Sequence, residues 1–392
     1  MTTPPRVVVV GASIGGLTAA ETLRQEGYAG EIVLMGDEPH LPYTRPPLSK
    51  QILLGDWEPE QAAIRTAVEL DDLDITVRTG CSAIGLDVGA RVLHTSEGAL
   101  PFDELIVATG TEPRSHPLLP WAPTLRTMDD ALHLREQLQV ARRIAVIGSG
   151  ILGSEIASAA RKHDAETLLV GRSGSLGFGG VGTLLTPQLI RLHEDNGVEL
   201  ALRADIASAA PTASGGAEIT LGATEHRVDL AVVMIGGTPR TGWLDSSGLT
   251  VADGIACDSD GIAAPGVSAV GDVAAWADPA TGRHVRVEHQ SNAIEQAVAV
   301  AIRLARGESA TQPVPLFWSE IHGARIHAFG WFDPAIPLID GMPDAPANSA
   351  IFASTDDTGR TRGVVGWNAS PRDFRAARAD VLGSIPALTP QP

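Results

Sequence analysis

Gly11 and Gly16, and again Gly148 and Gly153, sit in two near-identical phrases that could hold the pyrophosphate of a dinucleotide. The first phrase is Arg6-Val-Val-Val-Val10-Gly11-Ala-Ser13-Ile14-Gly15-Gly16, and the second is Arg143-Ile-Ala-Val-Ile147-Gly148-Ser-Gly150-Ile151-Leu152-Gly153. Gly11 falls on Gly148, Ser13 on Gly150 and Gly16 on Gly153 without a gap. In such a phrase the first glycine lets the chain turn sharply out of a strand. The second admits a pyrophosphate close to the backbone, and the third lets helix pack on strand. The helix that follows aims unpaired N–H groups and the positive end of its dipole at the phosphates. One such phrase is weak. Two, each with an apolar strand before it and an alanine-rich helix after it, predict a protein that holds two dinucleotides at once.

The copies differ where specificity is set. Each second strand ends in glycine, Gly36 and Gly171, but the next residues are Asp37-Glu38 in one copy and Arg172-Ser173 in the other. An acid there accepts the ribose hydroxyls, whereas an arginine pairs with a 2′-phosphate. Arg172 therefore predicts that NADPH is used at least as well as NADH, while Gly153 at the third glycine position pulls towards NADH. Cys81 and Cys257 are the only cysteines and form no CxxC pair, which argues against a disulfide scaffold, a structural zinc site and a dithiol redox centre. The histidines show no metal-ligand spacing, so no metal is expected.

The elements that must position these residues follow from the apolar runs and their breaks. Leu17 to Glu26 reads as a helix and Glu31 to Gly36 as a strand, followed by a proline-rich fixed loop from Leu41 to Lys50. Leu105 to Gly110 is a buried strand with a small-residue end, Ala108-Thr109-Gly110. The second unit starts near Arg142, its second strand is Glu166 to Val170, and a glycine run from Ser173 to Gly182 reads as a loose loop. Leu230 to Ile235 is a buried strand stopping at Gly236, Ala264 to Val270 a strand turning at Gly271-Asp272, and Ala293 to Arg306 a helix. From Pro313 the aromatics cluster among short alternating strands, predicting a small mixed C-terminal domain.

Composition sets the bounds. With 392 residues, 44% hydrophobic and 19% charged, the chain suits two or three soluble domains. A formal charge of −18 argues against a nucleic-acid or anionic-membrane partner. No apolar run is long enough to cross a bilayer and no signal peptide is read at the N-terminus, so a cytoplasmic location is expected.

The segments Gly11 to Gly16, Pro42-Tyr-Thr-Arg45-Pro-Pro-Leu-Ser-Lys50, Ala108 to Gly110, Gly148 to Glu155, Ala269-Val-Gly-Asp272, Phe317-Trp-Ser319 and Gly363-Val-Val-Gly-Trp-Asn368 carry a resemblance across almost the whole chain. It resembles the FAD-dependent ferredoxin reductases of the oxygenase and cytochrome P450 type, within the pyridine-nucleotide disulfide oxidoreductase superfamily. The resemblance implies an α/β fold with two Rossmann-like, glutathione-reductase-like domains and a small α+β C-terminal domain. Residues 1–112 and 245–315 would bind FAD, 113–244 NAD(P)H, and 316–392 would form the third domain. Gly11, Ser13, Ile14, Gly15 and Gly16 would hold the FAD pyrophosphate, and Asp37 or Glu38 the adenosine ribose. Arg45, Ala83, Ala108, Thr109, Gly110 and Arg126 would also reach FAD, with Gly271 and Asp272 at the ribityl chain and Glu288, His289 and Gln290 nearby. Gly148, Gly150, Ile151, Leu152, Gly153, Arg172 and Gly236 would hold the nicotinamide dinucleotide. Lys50, held rigidly after two prolines, would sit by the isoalloxazine and pair with Glu155, in the first turn of the second glycine-motif helix.

The activity so implied is hydride transfer from NAD(P)H to flavin N5, then single electrons to an iron–sulfur ferredoxin serving an oxygenase or cytochrome P450. Docking on an acidic ferredoxin would use a basic C-terminal face, Arg360, Arg362, Arg372, Arg375 and Arg378 against Asp373, with Arg303 and Arg306 as additions. The protein would be a monomer or homodimer. Two departures keep other readings open: the glycine run after Arg172, and Gln290 where the resemblance leads one to expect tryptophan. With a repurposed nicotinamide site the chain would be a flavin-dependent oxidase or reductase of a small organic substrate, or a redox-sensing flavoprotein.

Overall fold

The computed structural model describes residues 5–177, 180–213, 215–278, 282–308, 314–332, 338–340 and 348–384. The chain forms two compact units, one from residues within 1–45, 58–112 and 237–313 and the other from residues within 46–57, 113–236 and 314–392. Both contain the α/β architecture expected of a dinucleotide-binding fold.

In the first unit, strand Arg6–Val10 lies between Glu31–Met35 and Glu104–Val107, all parallel, in a six-stranded sheet. Its four valines are buried, as befits a central parallel strand covered on both faces. Ile75–Arg78 extends the sheet on one side, and Val267–Ala269 and Ile262–Ala264 on the other. Helix Ile14–Gln25 starts three residues earlier than the apolar pattern suggests, because Ser13 already has the extended backbone of a cap. It packs against helix Gln290–Arg306, the alanines Ala293 and Ala297 lying in the contact-dense core.

The second unit repeats this wiring. Strand Arg143–Ile147 lies between Glu166–Gly171 and Leu230–Val233, with Val198–Leu202 beyond. Val10 pairs with Met35 and Val107, and Ile147 pairs with Val170 and Val233. The register therefore makes Ala108-Thr109-Gly110 the counterpart of Met234-Ile235-Gly236, and both glycines turn with positive φ, +67° and +90°. Each unit also carries a three-stranded antiparallel sheet, Ala83–Asp87 to Gly98–Pro101 in one and Ile206–Pro211 to Thr224–Val228 in the other. The internal repeat thus extends well beyond the glycines.

The C-terminal part of the second unit is a five-stranded antiparallel sheet, in the order Leu316–Ile321, Ala324–Gly330, Thr361–Trp367, Ala350–Thr355, Ile339–Asp340. Helix Pro371–Ser384 closes it over a core of Phe329, Ile351, Val364, Phe374 and Val381.

Within the glycine run after Arg172, two described residues are tied to their surroundings, which its composition does not suggest. Leu176 is buried and its N–H donates to Thr186 Oγ1 (3.1 Å), while the Gly177 N–H donates to the Ser149 carbonyl (2.7 Å). Helix Gly180–Asp195 begins inside the run, and Phe178 and Gly179 lie outside the described residues. Burial of this leucine offsets part of the entropy cost of ordering the residues beside it.

Candidate functional site

The first glycine turn is built to leave space. Gly11 has φ +117°, and a Cβ there would stand 2.2 Å from the Ala108 carbonyl oxygen. A Cβ on Gly16 would stand 2.0 Å from the Gly11 carbonyl oxygen, so helix and turn meet backbone to backbone. Ser13 occupies the cap position without its hydroxyl capping the helix, which leaves the first N–H groups of Ile14, Gly15 and Gly16 aimed out of the N-terminus. Such a cradle fits a pyrophosphate. Gly271, also at positive φ, turns beside it, and its N–H is fixed by the buried Gln296 side chain (2.8 Å).

Acids and cations interlock around the strand end. Asp37 pairs with Arg240 (2.6 Å), whose backbone is tied to Thr109 Oγ1 (3.1 Å) and to the Gly110 carbonyl (3.0 Å). Burial alone would raise the Asp37 pKa, but the Arg240 hydrogen bond and charge outweigh it and hold the carboxyl below its ordinary value. Glu38 accepts from Tyr43 Oη (2.5 Å) and Arg45 (2.7 Å), and the Arg45 guanidinium lies 5.2 Å from the centre of the Tyr43 ring. Arg45 also feels the Asp272 charge, so one half-buried cation links the proline-rich loop to the turn at Gly271-Asp272. Arg240 and Tyr43 escape the sequence reading. Arg240 is 203 positions from Asp37, and only the repeated glycine turn that ends at Gly236 hints at it.

The other residues named for the first dinucleotide have contacts of their own. Ala83 opens a strand pairing with Thr95. Thr44 Oγ1 donates to Gln290 Oε1 (3.4 Å), Glu288 pairs with Arg286 (2.5 Å), and burial holds His289 below the ordinary imidazole value. Arg126 lies in the second unit, immediately before helix Met128–Val140, and its N–H donates to Asp130 Oδ2 (3.0 Å).

The second cradle repeats the first. Gly148 has φ +120° with a Cβ position 2.1 Å from the Met234 carbonyl oxygen, and Gly153 would meet the Gly148 carbonyl oxygen at 1.8 Å. Gly150 differs in that a Cβ there meets nothing within 4 Å. That open space is where a ligand's phosphates would approach the helix start at Ile151 and Leu152. Arg172 and Ser173 are exposed beyond the strand end.

Lys50 and Glu155 meet in the second unit. The 3-10 turn Pro46–Ser49, more regular than the fixed loop its prolines suggest, buries Pro47, Leu48 and Ser49 and presents Lys50. Lys50 Nζ lies 2.7 Å from Glu155 Oε1 and 5.4 Å from the centre of the Trp318 ring. Glu155 also accepts from Ser49 Oγ (2.5 Å) and Ser319 Oγ (2.6 Å). Glu155 is the fifth residue of helix Ile151–Lys162, one past the first turn, and is buried. Its contacts are therefore those of a side-chain network and not of a helix-end charge. A cavity of about 150 Å³ beside this pair is lined by Ser158, Lys162, Glu320 and His322 among others.

His322 leads away from it, its N–H donating to Ser158 Oγ (2.8 Å) and its Nε2 lying 3.1 Å from Nδ1 of the fully buried His193. Burial lowers His193 to about 3, and burial together with the nearby cations Arg161 and Lys162 lowers His322 to about 4. Both rings are neutral in the folded protein at pH 6.5, while unfolded histidines take up protons below that pH. Stability is therefore whole above pH 6.5 and falls as pH drops towards 4, by about 1.4 kcal/mol per pH unit for each histidine. Urea denaturation at pH 7 and pH 5 should show His193→Leu with a distinctly smaller loss between the two than the parent protein.

A family model described as pyridine nucleotide-disulphide oxidoreductase matches residues 5–297. The chain is similar to rhodocoxin reductase of Rhodococcus erythropolis, with 33% identity over 98% of this chain and 91% of that protein. It is also similar to the benzene 1,2-dioxygenase system ferredoxin--NAD(+) reductase subunit of Pseudomonas putida, with 30% identity over 97% of this chain and 93% of that protein. Among solved structures it superposes on the covalent putidaredoxin reductase–putidaredoxin complex with a TM-score of 0.89 and 27% identity, covering 97% of this chain and 94% of that one.

Proposed function

Because the chain belongs to the pyridine nucleotide-disulphide oxidoreductase family, we propose that it is an FAD-dependent NAD(P)H:ferredoxin oxidoreductase serving an oxygenase or cytochrome P450. The observation that carries this reading is the structural repeat: two glycine cradles in one chain, each with a backbone-tight turn and a ligand-facing helix start. The relatives' names supply the acceptor: they are named as reductases of rhodocoxin, of the ferredoxin of a benzene 1,2-dioxygenase system and of putidaredoxin.

In this reading the first cradle, residues 11 to 16, holds FAD, with Asp37 or Glu38 at the adenosine ribose and Asp272 at the ribityl chain. The second, residues 148 to 153, holds the nicotinamide dinucleotide with Gly236, and Arg172 favours NADPH. The FAD-binding part comprises 1–112 and 245–315, the nicotinamide-binding part 113–244, and the C-terminal part 316–392. When bound, the flavin accepts a hydride from the nicotinamide and returns its electrons one at a time.

Lys50 supplies a fixed cation for the ring system, and Glu155, locked by Lys50, Ser49 and Ser319, fixes where that cation sits. The cysteines do not serve as a relay. Both are buried and single, and burial pushes the Cys257 thiol up to about 12. An electron pair collected here therefore leaves to a separate carrier. A cytoplasmic location belongs to the same reading.

Arg360, Arg372 and Arg375 offer exposed charge for docking, whereas Arg362 stacks on Trp331 and Arg378 on Phe329. Arg303 and Arg306, the proposed additions, carry partners of their own, Ser268 and Glu26 respectively. Reversing two charges with Arg372→Glu and Arg375→Glu should slow ferredoxin reduction about tenfold at low ionic strength, with the difference fading in high salt. The overall reading is tested by steady-state turnover with NADPH. Ferredoxin-dependent consumption supports it, and consumption that depends only on oxygen or a small organic acceptor rejects it.

A further inference from the structure

We propose that Arg203 is a second specificity-determining cation for the 2′-phosphate of NADP(H), acting beside Arg172. This rests on the reading that the second unit binds a nicotinamide dinucleotide. Gly171 and Leu202 are paired on adjacent parallel strands, so Arg172 and Arg203 leave the same edge of the sheet side by side. Arg203 is held in the left-handed region, φ +58°, by its N–H donating to the Ser173 carbonyl (3.1 Å) and the Ala204 N–H donating to that of Gly171 (3.1 Å).

The first unit makes the same turn with the same two hydrogen bonds, from Gly80 to Glu38 (2.9 Å) and from Cys81 to Gly36 (2.8 Å). There the left-handed residue is Gly80, φ +68°. Glycine adopts that conformation without strain, whereas arginine does not. The second copy thus keeps a strained arginine exactly where its twin uses the residue the backbone prefers, and such outliers concentrate at ligand sites.

Position and charge fit that role. A Cβ built on Gly174 would come within 2.5 Å of Arg203 Nε, so the guanidinium lies against the loop that follows Arg172. Both arginines are exposed, and neither makes an ion pair among the described residues, in a chain with 47 acidic and 29 basic side chains. Ser173 Oγ donates to the Ser175 carbonyl (3.0 Å) and lies 3.2 Å from Ser175 Oγ, which leaves the Ser175 hydroxyl as a neutral donor on the same loop. A phosphate dianion is the ligand that two guanidinium groups and a hydroxyl recognise together. Asp37 at the place of Arg172, and Gly80 at the place of Arg203, give the first unit the opposite character.

Calorimetric titration of the FAD-loaded protein with NADP+ and NAD+ tests this. Arg203→Gly installs the twin's residue and relieves the backbone, so the variant should melt no lower than the parent. The parent is expected to bind NADP+ more tightly than NAD+, and Arg203→Gly should lower the NADP+ to NAD+ affinity ratio about tenfold. An unchanged ratio in Arg203→Gly, with a lowered one in Arg172→Gly, overturns the role of Arg203 while leaving the nicotinamide site standing. Failure of the parent to bind either dinucleotide overturns that underlying reading, and the inference with it.

Discussion

Gly153→Ala is expected to cost the second unit about 2–4 kcal/mol and to abolish nicotinamide binding, while Gly150→Ala leaves the fold intact. The added methyl group at 153 would stand 1.8 Å from the Gly148 carbonyl oxygen and 3.0 Å from its carbon. Neither atom belongs to a flexible side chain, so helix Ile151–Lys162 would have to lift off strand Arg143–Ile147, a move opposed by the buried Val146. At 150 the methyl group meets no protein atom within 4 Å, and the first copy already carries serine at the matching place. Its effect is confined to the ligand, a rise of about tenfold in the KM for NADPH as the phosphates lose their close approach. Thermal melting of the two variants, with the KM of whichever folds, separates a packing role from a binding role.

Glu155→Gln should slow flavin reduction by NADPH about 10- to 100-fold. The carboxylate accepts from three donors, Lys50, Ser49 and Ser319, and its side chain is only 7% exposed. Glutamine is isosteric but brings an amide donor towards groups that themselves donate, and leaves Lys50 without its counter-charge. Removing one partner of a largely buried ion pair also destabilises, by about 3 kcal/mol. Stopped-flow flavin bleaching reads the rate, and denaturant unfolding reads the stability. A variant that unfolds more easily yet bleaches at the parental rate would make Glu155 purely structural.

The parts legible in the sequence are those whose physics is local. The glycines at 11, 16, 148 and 153 announce close backbone approaches that only glycine permits, and at each of them a Cβ would stand 2.2 Å or less from a carbonyl oxygen. The apolar runs locate the central strands to within a residue or two, because a central parallel strand must be apolar on both faces. The anchoring of Leu176 in a buried site and the bond from Gly177 to Ser149 are not encoded by the glycine-rich composition after Arg172. Arg240 was hidden for a similar reason: its partner Asp37 is 203 positions away, and no local pattern encodes the approach. The meeting of Lys50 with Glu155 came from resemblance and not from spacing, and its serine partners emerged only from the fold. Arg203 needed the hydrogen-bond register of both copies before its likeness to Gly80 could be seen.

The proposed function requires that an electron pair be collected from NAD(P)H and delivered singly. Anaerobic mixing of the FAD-loaded protein with one equivalent of NADPH and an excess of a [2Fe–2S] ferredoxin tests it most directly. Flavin bleaching is expected, followed by reduction of two ferredoxins for each NADPH consumed, because each iron–sulfur centre takes one electron. Bleached flavin that persists beside oxidised ferredoxin would contradict it.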